Sequence, residues 1–238
     1  MIPHDQPLKI GSLLFEGLDQ IDLTGPFEVL SQIPNSTYSV YARTTDPVQD
    51  IHGLRLTADA TLADAPQLDV LHVPGGFGQE ALMEDDEVLD WIRRQALGAH
   101  SVFSVCTGAL LCGAAGLLQG RRATTHWSAI HLLPYFGAIP VDDRVVVDGN
   151  WVFAGGVTAG IDGALQLAAE LRGEPAAQRI QLAMQYAPEP PFDSGTPETA
   201  PAEVLEAAKR SVAKLTAQRE ATAERIGKKL GVELPAAG

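Results

Sequence analysis

Apolar positions along this chain follow two rhythms, one suited to buried strands and one to helices. Lys9-Ile10-Gly11-Ser12-Leu13-Leu14-Phe15 and Leu68-Asp69-Val70-Leu71-His72-Val73 are short apolar runs, as expected of strands covered on both sides. Residues 38–43 alternate like a second strand, 48–60 predict short strands broken at His52-Gly53, and 100–105 read as a further central strand. Arg122-Ala123-Thr124-Thr125 predicts another strand, and residues 145–147 and 151–153 predict two more around the turn Asp148-Gly149-Asn150. Between these runs, Thr24-Gly25-Pro26 supplies a cap and a first-turn proline for a helix continuing through 27–33. Helical periods also cover about 79–97, 158–171 and 174–186, and the prolines of 187–197 exclude regular structure there. Residues 202–230 predict a polar helix with Leu205, Val212, Leu215, Ile226 and Leu230 on one face and its mixed charges in solvent. Strands alternating with helices predict an α/β fold, a mainly parallel sheet with helices on both faces. The expected division is an α/β domain over 1–190 and a C-terminal arm and helix over 191–238, packed on the body or on a second subunit.

Composition narrows the partners. The chain has 238 residues, 45% of them hydrophobic, which is ample for a packed core. With 17 basic and 30 acidic residues the net charge is −13, which disfavours nucleic acid and anionic membrane surfaces and leaves small neutral molecules as the expected ligands. The first residues lack the charged and apolar regions of a signal peptide, and no apolar run approaches a membrane span, so a cytoplasmic protein is expected. Two cysteines, Cys106 and Cys112, lack the spacing of a zinc site or a redox pair, and neither a metal nor a cofactor is expected.

The chemistry concentrates at Ser104-Val105-Cys106-Thr107-Gly108, where a β-type run passes into a helical one. Small residues two places either side of a nucleophile permit the sharp turn of a nucleophile elbow, so Cys106 is the candidate nucleophile and Cys112 a core residue. A thiol at a helix N-terminus meets unpaired N–H groups, and a lowered pKa is expected for Cys106. In a parallel sheet the site forms beyond the carboxyl ends of the strands, where Pro74-Gly75-Gly76 also falls. Gly75 and Gly76 are either backbone donors to the substrate or only a strand-ending turn. The Thr107 hydroxyl is placed to bond Cys106, a neighbouring acid or the substrate. His126 suggests a Cys-His pair but reads better as a structural histidine, His72 as a core histidine, and Trp127 as a candidate substrate contact. Gly155-Gly156 precede the 158–171 helix, either as a packing turn or as a hinge.

Asp22-Leu23-Thr24-Gly25-Pro26, Pro74-Gly75-Gly76, the Cys106 elbow, the segment Gly116 to Trp127 and Gly156-Val157-Thr158-Ala159-Gly160-Ile161-Asp162 together resemble the glutamine-amidotransferase-like superfamily that contains the PfpI proteases. Within it the chain is most similar to the isonitrile hydratases, including the tail from Tyr186 to Phe192. The resemblance implies a flavodoxin-like sandwich, a homodimer, a cysteine nucleophile at Cys106 and an acidic partner at Asp22. It implies conversion of a small isonitrile and water to an N-substituted formamide through a cysteine thioimidate. Many superfamily members carry glutamate at the position of Asp22 and histidine directly after the nucleophile, where this chain has Thr107. Ligand-sensing domains of transcriptional regulators and deglycase- or glyoxalase-like cysteine enzymes share the elbow and remain the alternatives.

Overall fold

Strand β1 (Leu8–Leu13) starts a computed structural model that describes residues 2–233; Met1 and the expected arm's last residues, 234–238, lie outside the described part. The chain continues through α1 (Gln20–Leu30), β2 (Ser36–Ala42), β3 (Val48–Gln49), β4 (Arg55–Leu56), β5 (Ala60–Thr61) and β6 (Val70–Val73). Helices α2 (Gln79–Leu82) and α3 (Asp86–Gly98) lead to β7 (Ser101–Val105), α4 (Gly108–Ala114) and β8 (Arg122–Ala123). A 3-10 helix over Trp127–Phe136 precedes β9 (Ile139–Pro140), β10 (Val145–Asp148) and β11 (Trp151–Ala154). The last helices are α5 (Ala159–Arg172), α6 (Glu174–Ala183) and α7 (Ala202–Leu230).

The main sheet has the order β10-β11-β7-β6-β1-β2-β5, parallel throughout except for the β10–β11 hairpin. This is the flavodoxin-like, doubly wound arrangement, with its change of winding direction between β1 and β6. Side chains alternate across it. Leu8, Ile10, Val70, Phe103, Val105 and Val152 pack with α1, α5 and α6, whereas Leu71, Val73, Val102 and Phe153 share a core with α3, α4 and the 3-10 helix. Covering both faces is what makes the strand runs nearly continuous in apolar residues. Among the described residues no helix is long and apolar enough to cross a membrane.

The structure corrects several local expectations. Helix α1 begins four residues before Thr24, because the Asp19 side chain accepts the Ile21 N–H and caps it. Asp22 therefore lies in the first helical turn and is not the cap, while Pro26 sits inside the helix. Proline has no N–H for the Asp22 carbonyl, the partner a regular helix would supply. The strand expected at 122–125 shrinks to β8, which pairs with β9 in a separate two-stranded sheet, and the 3-10 helix after it was not expected. Gly155 and Gly156 have no positive φ, and the Gly155 N–H is held by the Arg144 carbonyl.

His72 is a core histidine, as expected. Its Nδ1 lies 2.8 Å from the Tyr38 hydroxyl and its ring stacks on Phe103, while the other ring nitrogen faces the Asp22 carbonyl without a well-aligned bond. Burial lowers its pKa from 6.5 to about 3. The unfolded chain thus binds a proton at His72 that the folded protein refuses, so the His72 contribution to stability is complete above pH 6.5 and declines as pH falls toward 3. His72 contributes up to about 1.4 kcal/mol per pH unit across that window. In urea unfolding at a series of pH values below 6.5, the stability of the wild type relative to His72→Gln should fall as pH falls, since carboxyl groups shared by both proteins cancel.

Candidate active site

Cys106 occupies the turn between β7 and α4 with φ of +55°. A side chain in this left-handed region costs about 1–3 kcal/mol and persists only where its surroundings enforce it. Here its N–H donates to the Ala154 carbonyl at 2.9 Å, and its carbonyl accepts the Thr125 hydroxyl at 2.7 Å. Gly108 packs so closely on the Val73 carbonyl that any Cβ would overlap it, which explains glycine two places after the cysteine. The resulting turn leaves Cys106 only 7% exposed.

Asp22 meets it from the first turn of α1 and is completely buried. Its Oδ2 accepts the Gly75 N–H at 3.0 Å, while Oδ1 has no well-aligned partner and the carboxyl faces the Cys106 thiol. Burial first, and then the charge of Asp19, push the Asp22 carboxyl well above the usual carboxylate range. The thiol is raised too, by burial and then by Asp22, against the downward pull of the Thr107 N–H and the Arg219 guanidinium. The lowered thiol pKa expected from the helix terminus is thus overturned. A seven-residue helix offers a weak dipole end, and desolvation outweighs it. Cys112, fully buried inside α4, is pushed up to about 12.

The remaining expected residues take distinct places. The Thr107 hydroxyl accepts the Gly76 N–H at 3.1 Å and approaches the Gly76 carbonyl at 3.3 Å, so it ties the elbow to the loop after β6. The N–H groups of Gly75 and Gly76 are thereby engaged with Asp22 and Thr107. Gly76 has φ of +137°, and a side chain there would overlap the Asp19 backbone. His126 borders the cavity over Cys106, but its Nδ1 is 2.8 Å from the Ser128 hydroxyl. Burial and then the Arg219 charge lower it to about 4, so it is a neutral ring. Trp127 lies beside the His126 ring and borders a neighbouring groove rather than the cavity itself.

The cavity over the sulfur is narrow, about 60 Å³, with Phe77, Val157 and Val212 as its apolar walls and Asp19 at its edge. Its cation comes from an unexpected source. Arg219 of α7, placed in solvent by the polar reading of that helix, is 3% exposed. It donates to Gln79 Oε1 at 3.0 Å and to the Gly76 carbonyl at 2.7 Å. A seven-residue interval separates Val212, Arg219 and Ile226, placing all three on one helix face. That spacing was the available signal.

Residues 8–170 match the DJ-1/PfpI family. The chain belongs to the DJ-1/PfpI family. It is 52% identical over 225 residues to a Pseudomonas putida protein named isonitrile hydratase, covering 94% of this chain and 99% of that one. A THiJ/PfpI family protein from Pseudomonas syringae has a crystal structure that superposes with a TM-score of 0.90 at 39% identity, covering 93% of each chain. The transcriptional regulator CdhR of Pseudomonas aeruginosa is 27% identical over 72% of this chain, a match that spans 52% of the regulator.

In this DJ-1/PfpI site the thiol is poised between opposite charges. Asp19→Asn should move the pH midpoint for iodoacetamide alkylation of Cys106 downward, and Arg219→Met should move it upward, because the first removes a repelling charge and the second an attracting one. Peptide mapping of the alkylated protein across a pH series checks both directions.

Proposed function

We propose that this protein hydrates isonitriles to N-substituted formamides, with Cys106 as nucleophile and Asp22 as the acid and base. The observation that carries this reading is a buried carboxyl, raised well above its usual range, facing a buried thiol. An isonitrile carbon must receive both a nucleophile and a proton, and a thiolate beside a protonated carboxyl supplies the two. The name and extensive identity of the Pseudomonas putida relative support the same reading.

In the first step the Cys106 thiolate forms a C–S bond to the terminal carbon while Asp22 transfers its proton to that carbon. The product is a neutral thioimidate, R–N=CH–S–Cys, and Asp22 is left as a carboxylate. Asp22 then takes a proton from water as the water oxygen attacks the same carbon, and returns that proton to nitrogen. Collapse of the adduct breaks the C–S bond, and the hydroxyl proton returns to Asp22. The sum is R–NC plus H2O giving R–NH–CHO, with thiolate and carboxylic acid restored. Arg219 and the Thr107 N–H stabilise the thiolate as it forms for attack and again as it leaves.

Thr107 completes the catalytic group by holding Gly76, whose carbonyl in turn accepts from Arg219. Gly75 acts by orienting the Asp22 carboxyl. The same proposal includes a cytoplasmic homodimer acting on a small molecule, as the family resemblance implies and as a net charge of −13 favours over nucleic acid or anionic membrane. It divides the chain into a catalytic body over 1–190 and an arm over 191–238 that delivers Arg219 to the site. A regulator reading is weaker because the match spans only 52% of CdhR, and a deglycase reading is weaker because Thr107 follows the nucleophile.

Purified protein mixed with an isonitrile should form the corresponding formamide. Cys106→Ala should abolish turnover and Cys112→Ala should retain most of it. Asp22→Asn, folded as judged by circular dichroism, should lose about a hundredfold or more in kcat, the scale of general acid–base catalysis. Near-normal turnover in the Cys106 or Asp22 variant would overturn these assignments.

A further inference from the structure

Beside the cavity over Cys106 lies a second, larger space. Val212 and Ser128 border both that cavity, of about 60 Å³, and a groove of about 430 Å³ between the 3-10 helix and α7. The groove follows from how α7 is seated. Arg219, Thr222, Ala223, Ile226 and Gly227 are buried, whereas no side chain from 202 to 218 is. The helix is therefore held against the body along its C-terminal half and stands off along its N-terminal half, opening a wedge in front of Trp127 and His131.

We propose that this groove, between the 3-10 helix and α7, is the subsite that holds the nitrogen substituent of the substrate. This inference rests on the isonitrile reading of the site. An isonitrile is linear at carbon and nitrogen, so the substituent extends away from the atom that the sulfur attacks. A space of about 60 Å³ accepts the two-atom head but not a ring as well. The ring requires the adjoining space. Its walls suit an apolar group, with Ala213, Ala217 and the Trp127 side chain facing it. The charges at its rim have other partners: Lys209 Nζ is 2.9 Å from Glu206, and Glu220 accepts from the Tyr135 hydroxyl at 3.3 Å. Val212, bordering both spaces, forms the shoulder between head and substituent. Helix α7 thereby has two functions in one stripe, with Arg219 acting on the thiol and Val212, seven residues earlier, shaping the substrate site.

Ala213 and Ala217 are exposed on the groove side of α7, where a larger residue can occupy the groove without displacing core packing. Ala213→Phe and Ala217→Phe should be assayed in the full-length protein with cyclohexyl isonitrile and methyl isonitrile. Each variant should lower the cyclohexyl-to-methyl ratio of kcat/KM by about tenfold or more, mainly through KM for the larger substrate. Methyl isonitrile turnover reports folding and chemistry within the same preparation. Ratios within about twofold of the unsubstituted enzyme in both variants would overturn the groove assignment while leaving the hydratase reading in place. Failure of the unsubstituted enzyme to convert either isonitrile would overturn the hydratase reading, and the groove assignment with it.

Discussion

A carboxyl and a thiol held against each other out of water resist double ionisation, and the structure around Cys106 is arranged to keep them there. Desolvation raises both groups, and the nearby carboxylates raise them further, Asp19 acting on Asp22 and Asp22 on the thiol. The proposed reaction uses the singly ionised pair, with the proton on Asp22 and the charge on sulfur. That is the state needed to attack a carbon and protonate it together. Arg219 and the Thr107 N–H pull against the rise on sulfur, as the Gly75 N–H pulls against the rise on Asp22.

Holding this pair together requires three strands to end at one place. The carboxyl end of β7 supplies Cys106 through its strained turn, the loop after β1 leads into the Asp22 turn of α1, and the loop after β6 brings Gly75 to the carboxylate. Close backbone approach follows. A Cβ at Gly76 or Gly108 would strike main-chain atoms, so these glycines are set by the distance between the loops. Interior Pro26 leaves the Asp22 carbonyl without its helical N–H partner, and the neutral ring of His72 faces that carbonyl from β6. The turn that carries Asp22 thus lies against the hydrogen-bonded core pair Tyr38 and His72.

Local sequence rules read the frame well because they act within a few residues. The apolar runs of β1, β6 and β7, the prolines after Tyr186 and the period of α7 each carry their own signal. The elbow at Cys106 was legible for the same reason, since the turn requires small neighbours. The first-helix boundary was misread because Asp19 and Thr24 are both competent caps, and only the fold shows which side chain reaches an N–H. The expected low thiol pKa failed because burial is set by packing rather than by the adjacent helix end. Arg219 went unnoticed because it lies 113 positions after Cys106 and amid charged residues, and only the docking of α7 removes it from solvent.

The central claim is that Asp22 is a neutral carboxylic acid in the resting enzyme. Infrared difference spectroscopy between the wild type and Asp22→Asn, with isotope-labelled aspartate, observes that group directly. The account predicts a carboxylic-acid C=O band at neutral pH that is absent from the variant. A carboxylate band in its place would contradict it.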